Sequence, residues 1–116
     1  MGLPAGIAEV VATVDGFRIV FAQPINTTLA SRPTAYAISS YRRLATPAYG
    51  GPDQDRRDEI VRQVAVAPDG RRVDLILDKT RLRAGFVYEF HLRNLVGEGE
   101  IFHPADAYYT LRDLVR

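Results

Sequence analysis

The side chains with chemistry to offer in this sequence are two histidines, two short runs of carboxylates, a serine pair and six tyrosines. A metal site built on His91 and His103 would take its remaining ligands from Glu89, Glu98, Glu100 or Asp106. The histidines lie roughly a dozen residues apart in different elements, and neither shows ligand spacing. His91 falls on the outward phase of its segment, which predicts a rim imidazole. Asp53, Asp55, Asp58 and Glu59 are the clustered oxygens a hard cation such as calcium takes. The D-x-[DN]-x-[DN]-G order is absent, however, and Arg56 and Arg57 interrupt the run, so it reads as a solvated charge run. Glu98 and Glu100, set between glycines, read the same way. Ser39 and Ser40 have no base beside them, and no G-x-S-x-G, phosphate-binding glycine loop or H-E-x-x-H occurs. Paired carboxylates for glycoside hydrolysis need a fixed separation across a cleft, which nothing here locates. The chain reads as a non-enzyme with no cofactor.

Tyr36, Tyr41, Tyr49, Tyr108 and Tyr109 offer rings on which a sugar can stack. With no tryptophan and an aromatic fraction of 9%, core and corner packing accounts for most of them. Tyr41 and Tyr49 are the two to test for a glycan. Arg42 and Arg43 beside Tyr41 have the residue types of a nucleic-acid patch, but a formal charge of +1 supplies no field for a polyanion. Asn26-x-Thr28 matches a glycosylation acceptor, a three-residue pattern that recurs by chance.

The elements that must position these groups read as strands. Residues 6–14 carry Ile7, Val10, Val11 and Val14 without helical spacing and stop at Asp15-Gly16, which predicts a strand and a tight turn. Phe17, Ile19 and Phe21 alternate with Arg18 and Val20 to make its hairpin partner. Pro24 ends that strand, and Asn26 or Thr27 caps a short helical turn over residues 28–31. A third strand covers 36–44. Residues 45–58, with Gly50-Gly51-Pro52 and dense charge, predict the longest loop and a flexible one. Residues 59–67 read as a strand with one phase shift, of the kind a bulge makes. Pro68-Asp69-Gly70 turns it into the clearest strand of the chain, Val73, Leu75 and Leu77 alternating with polar neighbours. Leu82-x-x-Gly85-x-x-Tyr88 has the spacing of a tyrosine corner, in which a phenol at a strand start bonds back to the preceding loop. Tyr88, Phe90 and Leu92 then face one way, and a last strand covers 108–111. The expected core is Phe17, Ile19, Phe21, Ile38, Val64, Val66, Val73, Leu75, Leu77, Tyr88, Phe90 and Leu92.

Seven or eight short strands with turn signals about every 8 to 12 residues, and no long amphipathic helix, predict an all-β antiparallel sandwich. At 116 residues, 47% hydrophobic and 25% charged, the chain suits one folded domain spanning 1–116. Cysteine is absent, which excludes disulfides, thiolate metal sites and a cysteine nucleophile. No run approaches the roughly 18 apolar residues of a membrane helix, and residues 1–6 lack a signal peptide's basic and apolar regions. The chain is therefore either cytoplasmic or a segment of a longer exported protein.

The series Phe17-Arg18-Ile19-Val20-Phe21-Ala22-Gln23-Pro24-Ile25, then Tyr36, then Asp69-Gly70-Arg71-Arg72-Val73-Asp74-Leu75, then Leu82-x-x-Gly85-x-x-Tyr88, resembles bacterial immunoglobulin-like domains of the S-layer type. The resemblance spans nearly the whole chain. Ala107-Tyr108-Tyr109-Thr110-Leu111 and Tyr49-Gly50-Gly51-Pro52 resemble more narrowly a domain at the C-terminal end of large secreted planctomycete-type quinoprotein and cytochrome c multidomain proteins. The resemblance implies an immunoglobulin-like β-sandwich acting as a non-catalytic accessory, spacer or interaction module of a larger exported bacterial protein. Its partners would be neighbouring domains or another protein, with no nucleic acid and no membrane insertion, and its place periplasmic, secreted or at the cell surface. Any redox chemistry would lie in other domains, since no C-x-x-C-H is present. Carbohydrate binding through exposed tyrosines is the second expectation, and a small enzyme or metal-dependent module using residues 45–59 the third.

Overall fold

The computed structural model describes residues 5–43, 53–97 and 99–115. Eight strands form two four-stranded sheets, with every pairing antiparallel. The strands are β1 (Ile7–Thr13), β2 (Gly16–Phe21), β3 (Tyr36–Arg43), β4 (Asp53–Glu59), β5 (Gln63–Val66), β6 (Arg72–Ile76), β7 (Phe86–Leu92) and β8 (Asp106–Leu111). One sheet has the order β1-β2-β6-β5 and the other β4-β3-β7-β8. These are the ABED and C′CFG orders of immunoglobulin-type sandwiches, with β4 in the C′ place. One turn of helix, α1 (Thr27–Ala30), lies in the crossover from β2 to β3, and the Asn26 side chain accepts from the Leu29 N–H at 2.9 Å to cap it.

Period-two alternation builds the core. Phe17 and Ile19 of β2, Val73 and Leu75 of β6, and Tyr88 and Phe90 of β7 are all fully buried. The Phe17 ring lies 4.8 Å from that of Tyr88 and 5.0 Å from that of Phe90, so the two sheets meet through aromatic packing. Val64 and Val66 are only half-buried, because β5 is a sheet edge. Ile25 and Leu95, which no alternating pattern marks, close one end of the sandwich; the Asn26 N–H donates to the Leu95 carbonyl at 2.8 Å. In the β5–β6 turn Gly70 has φ +71°, and a Cβ there would lie 2.7 Å from the Ile25 carbonyl oxygen. Turn and end plug thus fit each other.

Two expectations are corrected. Residues 53–58 belong to β4 and not to a loop of 45–58; the part of that loop at 45–52, Tyr49 included, lies outside the described residues. A strand paired on one side only needs no apolar face, and charge on such an edge discourages pairing with another chain, so its sequence carries no alternation to read. Residues 59–67 are likewise not one bulged strand. β4 ends at Glu59, residues 60–62 cross between the sheets, and β5 starts at Gln63 against β6. Ile60 is exposed and Val61 buried, so the phase shift marks a change of sheet.

β1 and β8 run in the same direction. A parallel bridge joins Ala5 to Phe102, and the Ile7 N–H donates to the Pro104 carbonyl at 2.9 Å, so both strands start at the Ile25–Leu95 end. The described chain enters the sandwich at one pole and leaves it at the other, in a body of 46 × 30 × 20 Å.

The tyrosine corner is formed. The Arg83 N–H donates to the Tyr88 hydroxyl at 2.9 Å, while burial pushes the phenol's pKa up. Tyr88→Phe should lower the free energy of unfolding by about 1 kcal/mol, one net hydrogen bond, and Tyr88→Ala by about 3–5 kcal/mol through the cavity it leaves. Urea denaturation separates the two, and an unchanged midpoint for Tyr88→Phe would contradict the role given to the bond.

Candidate functional site

The polar side chains that residue type singles out converge on the β4-β3-β7-β8 sheet, in two layers separated by strand parity. Ser39 and Tyr41 of β3, Arg56 and Asp58 of β4, Glu89 and His91 of β7, and Asp106 and Tyr108 of β8 take the outward positions. Ser40, Arg57 and Glu59 take the inward ones.

On the outer face Arg56 is the hub. Its guanidinium donates to Glu89 Oε2 at 2.7 Å and to Ser39 Oγ at 3.2 Å, and its carbon lies 4.3 Å from the centroid of the Tyr41 ring. The hydrogen bond from Arg56, and then its charge, hold the Glu89 carboxyl below the usual carboxylate range. His91 Nδ1 lies 2.6 Å from Asp106 Oδ1, and its Nε2 lies 3.5 Å from Glu89 Oε1. The two carboxylates therefore flank opposite nitrogens of one ring and cannot join it around a common ion. No group of three histidine, aspartate or glutamate side chains that could hold a metal occurs among the described residues. Tyr108 is 62% exposed, and the charge and hydrogen bond of Glu89 push its phenol up.

One tyrosine sorts differently from the sequence expectation. Tyr41 is 3% exposed and lies under Arg56, so it offers no open platform. The physical reason is a partner from the charged edge strand, which local pattern does not reveal. Tyr36 is buried, donates its hydroxyl to the Ala30 carbonyl at 2.7 Å, and is pushed well up by desolvation. Tyr109 packs edge-on to Phe17. Among the described tyrosines, Tyr108 presents the open ring.

Beneath this face, Ser40 meets the carboxylate that sequence gave no means of finding. Its hydroxyl donates to Glu59 Oε2 at 2.5 Å and accepts from Arg83 Nη2 at 2.6 Å, while Arg57 Nε donates to the same Glu59 oxygen at 2.7 Å. A serine beside a carboxylate suggests a nucleophile and base, but Ser40 is fully buried and the Glu59 side chain only 4% exposed. The carboxylate is already engaged by a guanidinium and a hydroxyl. The cluster is a structural network. Of the acidic run offered to calcium, parity puts Asp58 and Glu59 on opposite faces of β4. His103 is exposed at the Ile25–Leu95 pole. Arg18 and Arg62 pair with Asp74 at 2.7 Å and Asp78 at 3.3 Å. Exposed pairs of this kind contribute about 0–1 kcal/mol.

No protein-family model matches the chain, and no curated protein matches it. Among solved structures it is similar to the crystal structure of the S-layer protein rSbsC(31-844), with a TM-score of 0.67 and 18% identity. That likeness covers 95% of this chain, which spans 14% of the S-layer chain. At this identity the shared property is the fold alone.

The outer face has a pH signature. Glu89 is held below its ordinary value in the folded state, so the stability it contributes is present above the unfolded carboxyl pKa of about 4 and lost as pH falls through the folded value. Melting temperatures recorded from neutral pH downward should show Glu89→Gln less stable than the parent at pH 7, the gap narrowing below about pH 4. A constant gap would remove the ionic part of the Arg56–Glu89 interaction.

Proposed function

We propose that this chain is a non-catalytic spacer and interaction module of a longer bacterial cell-surface protein. The observation that carries the reading is the opposed placement of entry and exit. With β1 and β8 running the same way, units of this shape can be threaded in series with no chain doubling back. The fold likeness to a small fraction of an S-layer chain supports the same arrangement, and the burial of Ser40 supports the non-catalytic part. The finer context, a parent that also carries quinoprotein or cytochrome c domains, belongs to this proposal: its redox groups would sit elsewhere, since this chain has no cysteine to attach a haem. An antibody raised to this chain tests the reading on intact cells of the source organism. Labelling that external protease removes is the expected result, and signal confined to the cytoplasmic fraction overturns it.

Sugar binding is the second reading, favoured by one observation: the open ring of Tyr108 stands beside Glu89, whose carboxylate can accept from sugar hydroxyls. Retention on immobilised cell-wall glycan should fall at least tenfold in Tyr108→Ala and stay unchanged in Tyr41→Phe. Equal retention of Tyr108→Ala and parent ends this reading.

A further inference from the structure

β4 differs from every other strand in what holds it. Its sequence, Asp-Gln-Asp-Arg-Arg-Asp-Glu, contains no apolar residue, whereas each of the other seven strands places at least one side chain in the hydrophobic core or against it. It is also an edge, paired with β3 alone. Its attachment is the β3 ladder, which shifts once between Ser40 and Arg42, together with polar side chains. Arg56 donates to Glu89 and Ser39, Arg57 and Ser40 both donate to Glu59, and Arg57 Nη2 donates to the Arg81 carbonyl at 2.5 Å.

These bonds hold the strand less firmly than their number implies. A buried ion pair costs desolvation that its attraction roughly offsets, and when β4 lifts away Arg57 and Glu59 leave together while water reaches Ser40 and Arg83. The outer pair, Arg56 with Glu89, has side chains 41% and 16% exposed, open enough for dissolved ions to screen. The apolar surface that a lift uncovers includes the Tyr41 ring beneath Arg56. On the far side the movement has a limit: Val61 is buried and the Arg62 N–H donates to the Ile76 carbonyl at 2.8 Å, so the chain is tied to the other sheet two residues after Glu59. Exposed Ile60 stands at the joint, and β5 stays where it is. We propose that β4 is a detachable strap, which opens from β3 as one unit while the other seven strands stay folded, and that ionic strength sets how often it does so. Beneath the strap lies an edge of β3, the longest described strand. From Tyr36 to Tyr41 it has no charged residue, so it lacks the charge by which β4 deters pairing with another chain.

Hydrogen exchange on the intact chain tests this amide by amide. At neutral pH the protected amides of β4 should exchange about tenfold faster, or more, than those of β2, β6 and β7. Sodium chloride at about 1 M, where the screening length is about 3 Å, should speed β4 several-fold further and leave the other three strands unchanged. Ser39 and Asp58 lie directly opposite each other on the outer face, so a Ser39→Cys/Asp58→Cys disulfide pins the strap, and the chain has no native cysteine to compete. Oxidised, that protein should exchange its β4 amides as slowly as those of β2 and lose the salt response; reduced, it should regain both. Parent β4 amides that exchange at the rate of β2, a β4 rate that salt does not change, or fast β4 exchange that survives oxidation each overturn the proposal.

Discussion

Contact between Phe17 and the Tyr88–Phe90 pair is the constraint on which the rest of the sandwich depends. These are the large rings through which the β1-β2-β6-β5 sheet meets the other, at 4.8 and 5.0 Å between centroids. Each ring alone would be ordinary hydrophobic burial. Tyr88 adds direction, because its hydroxyl accepts from the Arg83 N–H and so fixes the chain that crosses from β6 to β7. The same crossing places the Arg83 guanidinium on Ser40 and over the Phe86 ring. One corner therefore sets sheet separation, the entry of β7 and the position of a buried cation.

The strands that surround this centre divide the work. β2, β6, β3 and β7 are inner strands and supply most of the fully buried side chains; β1, β5, β4 and β8 are edges. Edge strands need protection from pairing with other chains. β4 has it in charge, with six acidic or basic residues among its seven. β5 is only four residues long. The outer face of β3 and β7 is likewise satisfied internally, Arg56 holding Tyr41, Ser39 and Glu89 together, so unspent polar and apolar surface is displaced toward Tyr108 and the poles.

What the sequence made legible follows from this division. β2, β6 and β7 bury one face and expose the other, and their alternation reads directly. The Asp69-Gly70 turn and the Leu82-to-Tyr88 spacing are local chemistry, and both are found as expected. β4 escaped because neither of its faces is apolar, so a period of two leaves no trace in hydropathy. The crossover at residues 60–62 imitated a bulge because either event shifts the phase by one. Burial of Tyr41 depends on Arg56, fifteen positions along the chain and one strand over, and the Ser40–Glu59 bond joins residues nineteen apart. Nothing within a window of several residues encodes either. Composition assigned most tyrosines to core and corner packing, and among the described ones Tyr108 alone is exposed.

The buried Ser40 network supplies information that apolar packing lacks. A carboxylate and two guanidiniums at the rim of a core cost desolvation that their mutual attraction roughly offsets, so net stability is a poor explanation for them. Register is a better one. β4 has no hydrophobic face to tell it which side of β3 to present, and the ladder between them already shifts once, between Ser40 and Arg42. A slip by one residue would turn Glu59 and Arg57 out to solvent and bring Asp58 and Arg56 in. Ser40 would then keep Arg83 but lose the carboxylate, and Tyr41 would lose its cover. Both losses strike buried groups, so the slipped pairing is disfavoured on both faces at once. In a strand whose residues carry no hydrophobic code, charge placed on alternate positions performs the task that valine and phenylalanine perform in β2 and β7.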